Sequence, residues 1–352
     1  MISSLRLQNF RSYRDESFEF EPGVTIIVGP NASGKTNLLE AILVVARGQS
    51  YRVDDEELIR FERPWARLDA GLADDTRRTI KLDRTNGRMQ KSYVINDRPY
   101  KILAHNHQLP VVLFEPNHLL LLNGAPELRR AYMDDLLSQL QPGFTSMRQH
   151  YRRALSQRNA LLKQGYDRAK GQVFAWNLRL SELGGHIAEA RMQLLKDIGP
   201  DVTKLYKKLG DKKVKVTVGY QSGLPLDRYA SALLQKLENS LATDCERGFT
   251  AYGPHRDDLQ VLFDGTPVSL TASRGEARTL LLALKICELK LLEARRQQKP
   301  LLLLDDVFSE LDGARRQALT AYLQDYQTFI TTTDADVVVH YFTENSHIIP
   351  LG

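Results

Sequence analysis

Two cysteines, Cys245 and Cys287, are all that 352 residues contain, too few for a disulfide framework, and each sits where a small buried hydrophobe on a helix is expected. A reducing compartment is the matching expectation. No apolar run approaches the length of a membrane span, and Met1-Ile2-Ser3-Ser4-Leu5-Arg6-Leu7 lacks the apolar core of a secretory leader, so a cytoplasmic protein is expected. Internal repeats and low-complexity stretches are missing too. With 42% hydrophobic and 26% charged residues, the composition excludes disordered and fibrous classes and leaves an ordinary globular protein. The length allows two domains, or one large domain carrying an insertion.

Charge is present but unevenly spread. The net charge is +5, yet Met147 to Lys215 alone holds sixteen Lys and Arg against six Asp and Glu, which leaves the remainder of the chain acidic. A phosphate polyanion suits such a segment, because neutralising phosphates releases counterions and supplies affinity without sequence preference. The competing reading is a set of solvated helix faces. Lys204, Lys207, Lys208, Lys212, Lys213 and Lys215 crowd together near the end of this segment and are the candidate DNA contacts.

The most informative stretch is Gly29-Pro30-Asn31-Ala32-Ser33-Gly34-Lys35-Thr36, which fits G-x-x-x-x-G-K-[ST]. In such a loop, backbone N–H groups wrap phosphates, the lysine reaches the β- and γ-phosphates, and the hydroxyl ligates Mg²⁺. The motif has meaning only between a strand and a helix. Val24 to Val28 precedes it as a β-branched run, and Asn37 to Leu43 follows as a helical one, so both flanks fit. Arg11, at the end of the first strand, is placed to reach over a bound nucleotide or to be a plain exposed strand-end arginine.

Further along, residues 65–103 read as three or four short antiparallel strands with Asn86-Gly87 and Asn96-Asp97 as turns, and Pro110 to Phe114 as a core strand. From Asn117 the periodicity becomes helical: Pro126 to Leu140, Thr145 to Gln164, and Val173 to Ile198, where Gly199-Pro200 is expected to bend the chain. Strand Lys213 to Tyr220 and helix Asp227 to Thr243 follow, then the turn Ala251 to Asp258 and strands Leu259 to Phe263 and Pro267 to Leu270. In that turn, His255 and Arg256 beside two carboxylates fit either a phosphate or partner contact or a salt-bridged turn.

Ser273-Arg274-Gly275-Glu276 opens a long helix whose N-terminus offers N–H groups, a hydroxyl and a favourable dipole to an anion, or is simply a capped helix end. Leu301 to Leu304 is then a fully apolar strand that finishes in Asp305-Asp306. Buried carboxylates are costly without compensation, and Mg²⁺ supplies it: Asp305 is assigned to the metal with Thr36, and Asp306 to polarising the attacking water. The last core strand is expected at Thr328 to Thr333, with no histidine in the switch position after it.

The order of Lys35, Ser273, Asp305-Asp306 and Ser309 to Asp312 resembles an ABC-type ATPase head. Its wide spacing, with an insertion, is similar to the chromosome-maintenance branch that includes SMC and Rad50. Within that branch, Asn9-Phe10-Arg11-Ser12-Tyr13, Gly29 to Thr36, Gly124 to Arg130, Gly253 to Leu259 and Leu304 to Asp312 together resemble the RecF family of bacterial recombination mediators, over essentially the whole chain. The implied fold is an α/β P-loop head, with a mixed sheet and an antiparallel β subdomain, carrying an inserted helical arm. The head would occupy residues 1–116 and 245–352, and the arm 117–244.

The implied activity is slow, DNA-stimulated ATP hydrolysis that governs an ATP-dependent homodimer on gapped DNA or single-strand to duplex junctions. The implied cofactors are ATP and Mg²⁺, and the implied partners are DNA, RecR, RecO and the RecA recombinase, in recombinational repair, replication restart and the SOS response. Gly29 to Asn37 and Arg11 would bind nucleotide, with Lys35, Asp306 and Ser273 catalytic, and Ser273 and Gly275 would face a partner's γ-phosphate. Glu276 stands where ABC signatures usually carry Gln, and Asp306 where transporters usually carry Glu; both point to slow turnover. The alternative is an ABC-type ATPase subunit that drives a protein or membrane partner.

Overall fold

The computed structural model describes residues 1–210, 214–334 and 346–352. Its contacts divide the chain into two units: Met1–His118 with Glu288–Gly352, and Leu119–Cys287. The division implied by the resemblance lies after residues 116 and 244. The second falls later because the segment after 244 pairs with the insertion: a strand at Asp258–Phe263 adds to one at Val216–Gln221 across its full length.

The strands are, in chain order, β1 (Ile2–Phe10), β2 (Tyr13–Glu19), β3 (Val24–Val28), β4 (Trp65–Leu72), β5 (Arg77–Asp83), β6 (Gln90–Ile95), β7 (Arg98–Tyr100) and β8 (Val111–Phe114). Then come β9 (Val216–Gln221), β10 (Asp258–Phe263), β11 (Thr266–Pro267), β12 (Leu301–Asp305), β13 (Thr328–Thr332) and β14 (Ser346–Pro350). The principal helices are α1 (Lys35–Arg47), α2 (Pro126–Leu140), α3 (Phe144–Leu162), α4 (Phe174–Gly210), α5 (Tyr229–Asn239), α6 (Leu241–Arg247) and α7 (Arg274–Arg296).

In the first unit, β2-β1-β4-β5-β6-β7 form an antiparallel sheet and β14-β3-β13-β12-β8 a parallel one. Strand β3 thus belongs to the parallel sheet, while β1 and β2 pair in the antiparallel one. The two sheets differ in pattern for a physical reason. β4 alternates buried and less buried residues, as a sheet with one packed face must. β12 and β13 are buried at every position, as parallel strands covered on both faces must be. Helix α1 touches β1 and β4 of one sheet and β8, β12 and β13 of the other. Its apolar residues Leu38, Leu39, Ile42, Val44 and Val45 are therefore buried all round rather than along one stripe.

The chain yields one core strand more than expected. β14 pairs in parallel with β3 beyond the strand at Thr328–Thr332. It lies at the sheet edge and ends in Pro350, where a missing N–H removes no ladder bond that a central strand would need.

In the second unit, α4 runs through Gly199 and Pro200 as one helix. Gly199 has no Cβ to clash with the proline ring, so the residue before proline can stay helical. The buried stripe Leu194, Leu195, Ile198, Val202, Leu205, Tyr206 runs across the proline without interruption, and its burial outweighs the lost hydrogen bond. Residues 229–247 form two helices, α5 and α6, that break at Ser240. Val268–Thr271 is a helical turn where a strand was expected. The core of this unit gathers Tyr151, Leu180, Leu183, Ile187, Leu233 and Leu237 from α3, α4 and α5.

Candidate functional site

The loop between β3 and α1 has the geometry its sequence calls for. Gly34 adopts φ 101°, and a Cβ there would sit 3.0 Å from both the Ser12 and Tyr13 hydroxyl oxygens, so only glycine lets the first strand pair approach the loop. Tyr13 OH donates to the Gly34 carbonyl at 3.1 Å. Pro30, Asn31 and Ala32 form the exposed crest of the loop. The Ser33 hydroxyl is buried with no hydrogen-bond partner, an orphan that an oxyanion ligand would satisfy. Lys35 is 5% exposed and donates through Nζ to the carbonyls of Gly29 at 2.8 Å and Pro30 at 2.9 Å. Asn37 donates to the Ser12 hydroxyl.

Parallel pairing brings the carboxylate strand to the same place. β12 lies beside β13, with Asp305 opposite Thr331. Asp305 Oδ1 accepts from the Thr36 hydroxyl at 2.9 Å and from the Thr331 hydroxyl at 2.9 Å. Its Oδ2 accepts from Tyr51 OH at 3.2 Å. Three hydroxyl donors thus offset the desolvation of one nearly buried carboxylate. Asp306 follows in the left-handed conformation, φ 52°, with its N–H donating to Thr331 Oγ1 at 2.9 Å. Burial pushes the Asp306 carboxyl above the usual carboxylate range, the Asp305 charge adds to this, and the Lys35 ammonium opposes it.

The site therefore combines a phosphate-type loop, a cation, and a hydroxyl–carboxylate pair in mutual contact. Among the described residues no cluster of three or more His, Cys, Asp or Glu offers a protein cage for a metal. The donors fit Mg²⁺ all the same. Mg²⁺ is usually held by one or two carboxylates together with substrate phosphates and water rather than by a full protein shell. Thr36 and Asp305 are the residues that would hold it.

Arg11 makes its contacts within the first unit. Its guanidinium donates to both oxygens of Glu40, at 2.7 and 3.2 Å, and to the Glu57 carbonyl at 3.1 Å. Glu40 is wholly buried on α1 and takes a further bond of 2.5 Å from the Ser50 hydroxyl. Burying that carboxylate demands a cation, which Arg11 supplies.

Ser273 and Gly275 lie in the second unit, at the start of α7. Ser273 is exposed. Its N–H donates to Glu276 Oε2 at 2.9 Å and its hydroxyl to the same oxygen at 2.6 Å, while the Glu276 N–H returns a bond of 3.3 Å to Ser273 Oγ. This is a reciprocal capping box, which explains an acid at that position without reference to any ligand. Lys204, Lys207 and Lys208, on the last turns of α4, and Lys215, before β9, are all exposed. Lys212 and Lys213 lie outside the described residues.

The two remaining motif stretches of the second unit meet each other. Arg129 grips Asp258 with two bonds of 2.8 and 2.7 Å, and Arg130 donates to the Asp257 carbonyl at 2.8 Å. Asp257 accepts from Tyr220 and Tyr229. His255 Nε2 faces the Thr250 carbonyl at 3.1 Å and so carries the proton, which leaves Nδ1 to accept from Tyr151 OH at 2.7 Å. The ion pair at this turn is made by Arg129, while Arg256 lies over the Phe249 ring.

Tyr51, Thr331, Glu40 and Ser50 are site residues that sequence reasoning missed. Thr331 carried a usable signal, since it lies near the end of the strand paired with β12. Tyr51 and Ser50 carried none, because they lie in an irregular stretch after α1.

Known proteins share both the sequence and the architecture. Residues 1–349 match the family model described as the RecF/RecN/SMC N terminal domain. The chain is 35% identical over 342 residues to the DNA replication and repair protein RecF of Heliobacterium modesticaldum, covering 94% of this chain and 92% of that protein. It is 36% identical over 349 residues to the RecF of Lactobacillus acidophilus, covering 95% and 92%. A solved structure of the recombination mediator protein RecF with ATP, in the RecFOR pathway, superposes with a TM-score of 0.84 at 30% identity, covering 95% of this chain and 92% of that one.

Proposed function

This chain belongs to the RecF family, and from that premise we propose that it is an ATP-dependent DNA-binding repair protein of the cytoplasm. ATP would be held by the Gly29–Thr36 loop, Lys35 and Asn37, and Thr36 and Asp305 would hold Mg²⁺. Asp306, at the same strand end, orients the attacking water. Bound ATP joins two copies of the chain, each lending Gly275 and the exposed Ser273 of α7 to the other's γ-phosphate. Hydrolysis is slow and releases the pair.

The observation that carries this reading is the Thr36–Asp305 contact. Two residues 269 positions apart come within 2.9 Å at the mouth of a phosphate loop, where a hydrated Mg²⁺ bound to triphosphate needs a hydroxyl and a carboxylate. When bound, the metal would neutralise charge on the phosphates that water attacks. The chain's own residues bind the phosphates, set the metal ligands and hold Asp306 beside Lys35.

The nucleotide-joined pair engages gapped DNA and single-strand to duplex junctions through basic surface on the helical unit, and works with RecR and RecO to place RecA during recombinational repair, replication restart and the SOS response. Support for the DNA arm is the run of exposed lysines and the basic excess between Met147 and Lys215. Among the described residues no helix is long and apolar enough to cross a membrane. The test is fluorescence anisotropy of a labelled gapped duplex at several salt concentrations, with and without Mg-ATP. Binding should require ATP and fall steeply with salt; binding indifferent to both contradicts the reading.

A further inference from the structure

Asp305 is steadied on its second oxygen by a residue that no nucleotide motif contains. Tyr51 OH donates to Oδ2 at 3.2 Å while Thr36 and Thr331 occupy Oδ1. With both oxygens engaged, the carboxylate cannot rotate about its Cβ–Cγ bond. Oδ1 is thereby kept toward Thr36. Tyr51 stands on an irregular segment, yet that segment is not loose. Ser50, its neighbour, accepts the backbone N–H groups of Arg52 at 2.9 Å and Val53 at 3.3 Å, and donates to the buried Glu40. Glu40 in turn is clamped by Arg11. A continuous line of contacts therefore runs Arg11, Glu40, Ser50, then along one peptide to Tyr51, and from there to Asp305.

We propose that Tyr51 is a positioning residue for the metal-binding carboxylate, and that the Arg11–Glu40–Ser50 clamp exists to present it. The proposal rests on the reading of Thr36 and Asp305 as the Mg²⁺ pair. It gives Arg11 a role at the nucleotide site that needs no contact with phosphate. Hydrogen bonds to metal-ligating carboxylates set ligand orientation, and their loss typically weakens metal affinity by about 10- to 100-fold.

The experiment measures binding of a fluorescent ATP analogue, mant-ATP, across a Mg²⁺ titration and again in EDTA. Wild type is compared with Tyr51→Phe, which removes only the hydroxyl, and with Ser50→Ala, which loosens the segment and leaves Tyr51 intact. Tyr93→Phe is the control, because Tyr93 OH also makes a buried hydrogen bond in this unit, at 3.1 Å, but to the Gly48 carbonyl rather than to a metal ligand. The expected result is a rise of about tenfold in the Mg²⁺ needed for half-maximal binding in Tyr51→Phe, a smaller rise in Ser50→Ala, unchanged binding in EDTA, and no shift in Tyr93→Phe.

If wild type responds to Mg²⁺ and Tyr51→Phe titrates identically, the positioning role is wrong and the metal pair stands. Equal weakening of Tyr51→Phe with and without Mg²⁺ also overturns it, by making the effect structural. Wild-type binding indifferent to Mg²⁺ overturns the metal pair and the positioning role together. Should Tyr51→Phe fail to fold, Ser50→Ala decides on the same criteria.

Discussion

The Thr36 hydroxyl and the Asp305 carboxylate are in hydrogen-bond contact at 2.9 Å, while Asp306, the next residue, is turned away into the left-handed conformation toward the influence of Lys35. The proposed function gives these adjacent carboxylates different tasks. Asp305→Asn should weaken Mg²⁺-dependent ATP binding by about tenfold. Asp306→Asn should leave that binding within about twofold and lower turnover by about 100-fold or more, the range for losing a positioned acid or base. Nucleotide fluorescence and phosphate release, measured on both variants, check the split. Equal loss of binding in both would remove it.

Glu276 holds the first turn of α7 with a full negative charge. That charge sits where the proposed partner γ-phosphate must approach. Gln preserves the capping-box hydrogen bonds and removes the charge. Glu276→Gln should therefore strengthen ATP-dependent self-association by about two- to fivefold, the equivalent of a helix-end charge effect of up to about 1 kcal/mol. Sedimentation velocity at graded protein concentration measures it, and weaker association than wild type would show that the acid helps closure.

His255 gives the second unit a pH dependence of known sign. Burial, with Arg256, Arg130 and Arg191 nearby, lowers its pKa to about 4 from the ordinary 6.5. The unfolded chain therefore takes up a proton that the folded chain refuses between these values, so stability falls as pH drops from about 6.5 toward 4. The full effect is bounded at about 3 kcal/mol, and the buried Asp257 beside it, whose carboxyl is raised by burial, opposes the trend near the acid end. His255→Gln should flatten the difference in melting temperature between pH 7.5 and pH 5. An unchanged slope would mean that His255 titrates normally.

The exposed lysines at the end of α4 should matter for DNA and not for folding. Lys204, Lys207 and Lys208 share one face at i, i+3 and i+4, and Lys204 is 80% exposed by side chain. Changing these three and Lys215 to Glu should weaken binding to gapped DNA at every sequence tested and reduce the salt slope by about one unit for each phosphate no longer neutralised. Melting temperature should stay within a few degrees of wild type. Intact DNA binding would move the interface elsewhere on the chain.

Much of this was legible because the decisive features are local. The loop Gly29 to Thr36 declares itself by spacing, β12 by an apolar run with terminal acids, and α2 by a proline at its first position. What was hidden depends on partners distant in sequence. Pro200 reads as a break until the buried stripe on either side of it is seen to be continuous. The pairing of Arg11 with the buried Glu40 spans 29 positions and has no local pattern. Tyr51 carries no local pattern at all; its role exists only because β12 ends within reach of it.

The central claim is that a second copy of the chain completes the nucleotide site through Ser273. Light scattering coupled to size exclusion, on wild type and Ser273→Arg with and without Mg-ATP, tests it most directly. The account predicts that wild type doubles its mass with Mg-ATP, while Ser273→Arg binds the nucleotide and stays at the mass of one chain. A wild type whose mass ignores ATP, or a Ser273→Arg variant that doubles as wild type does, would contradict it.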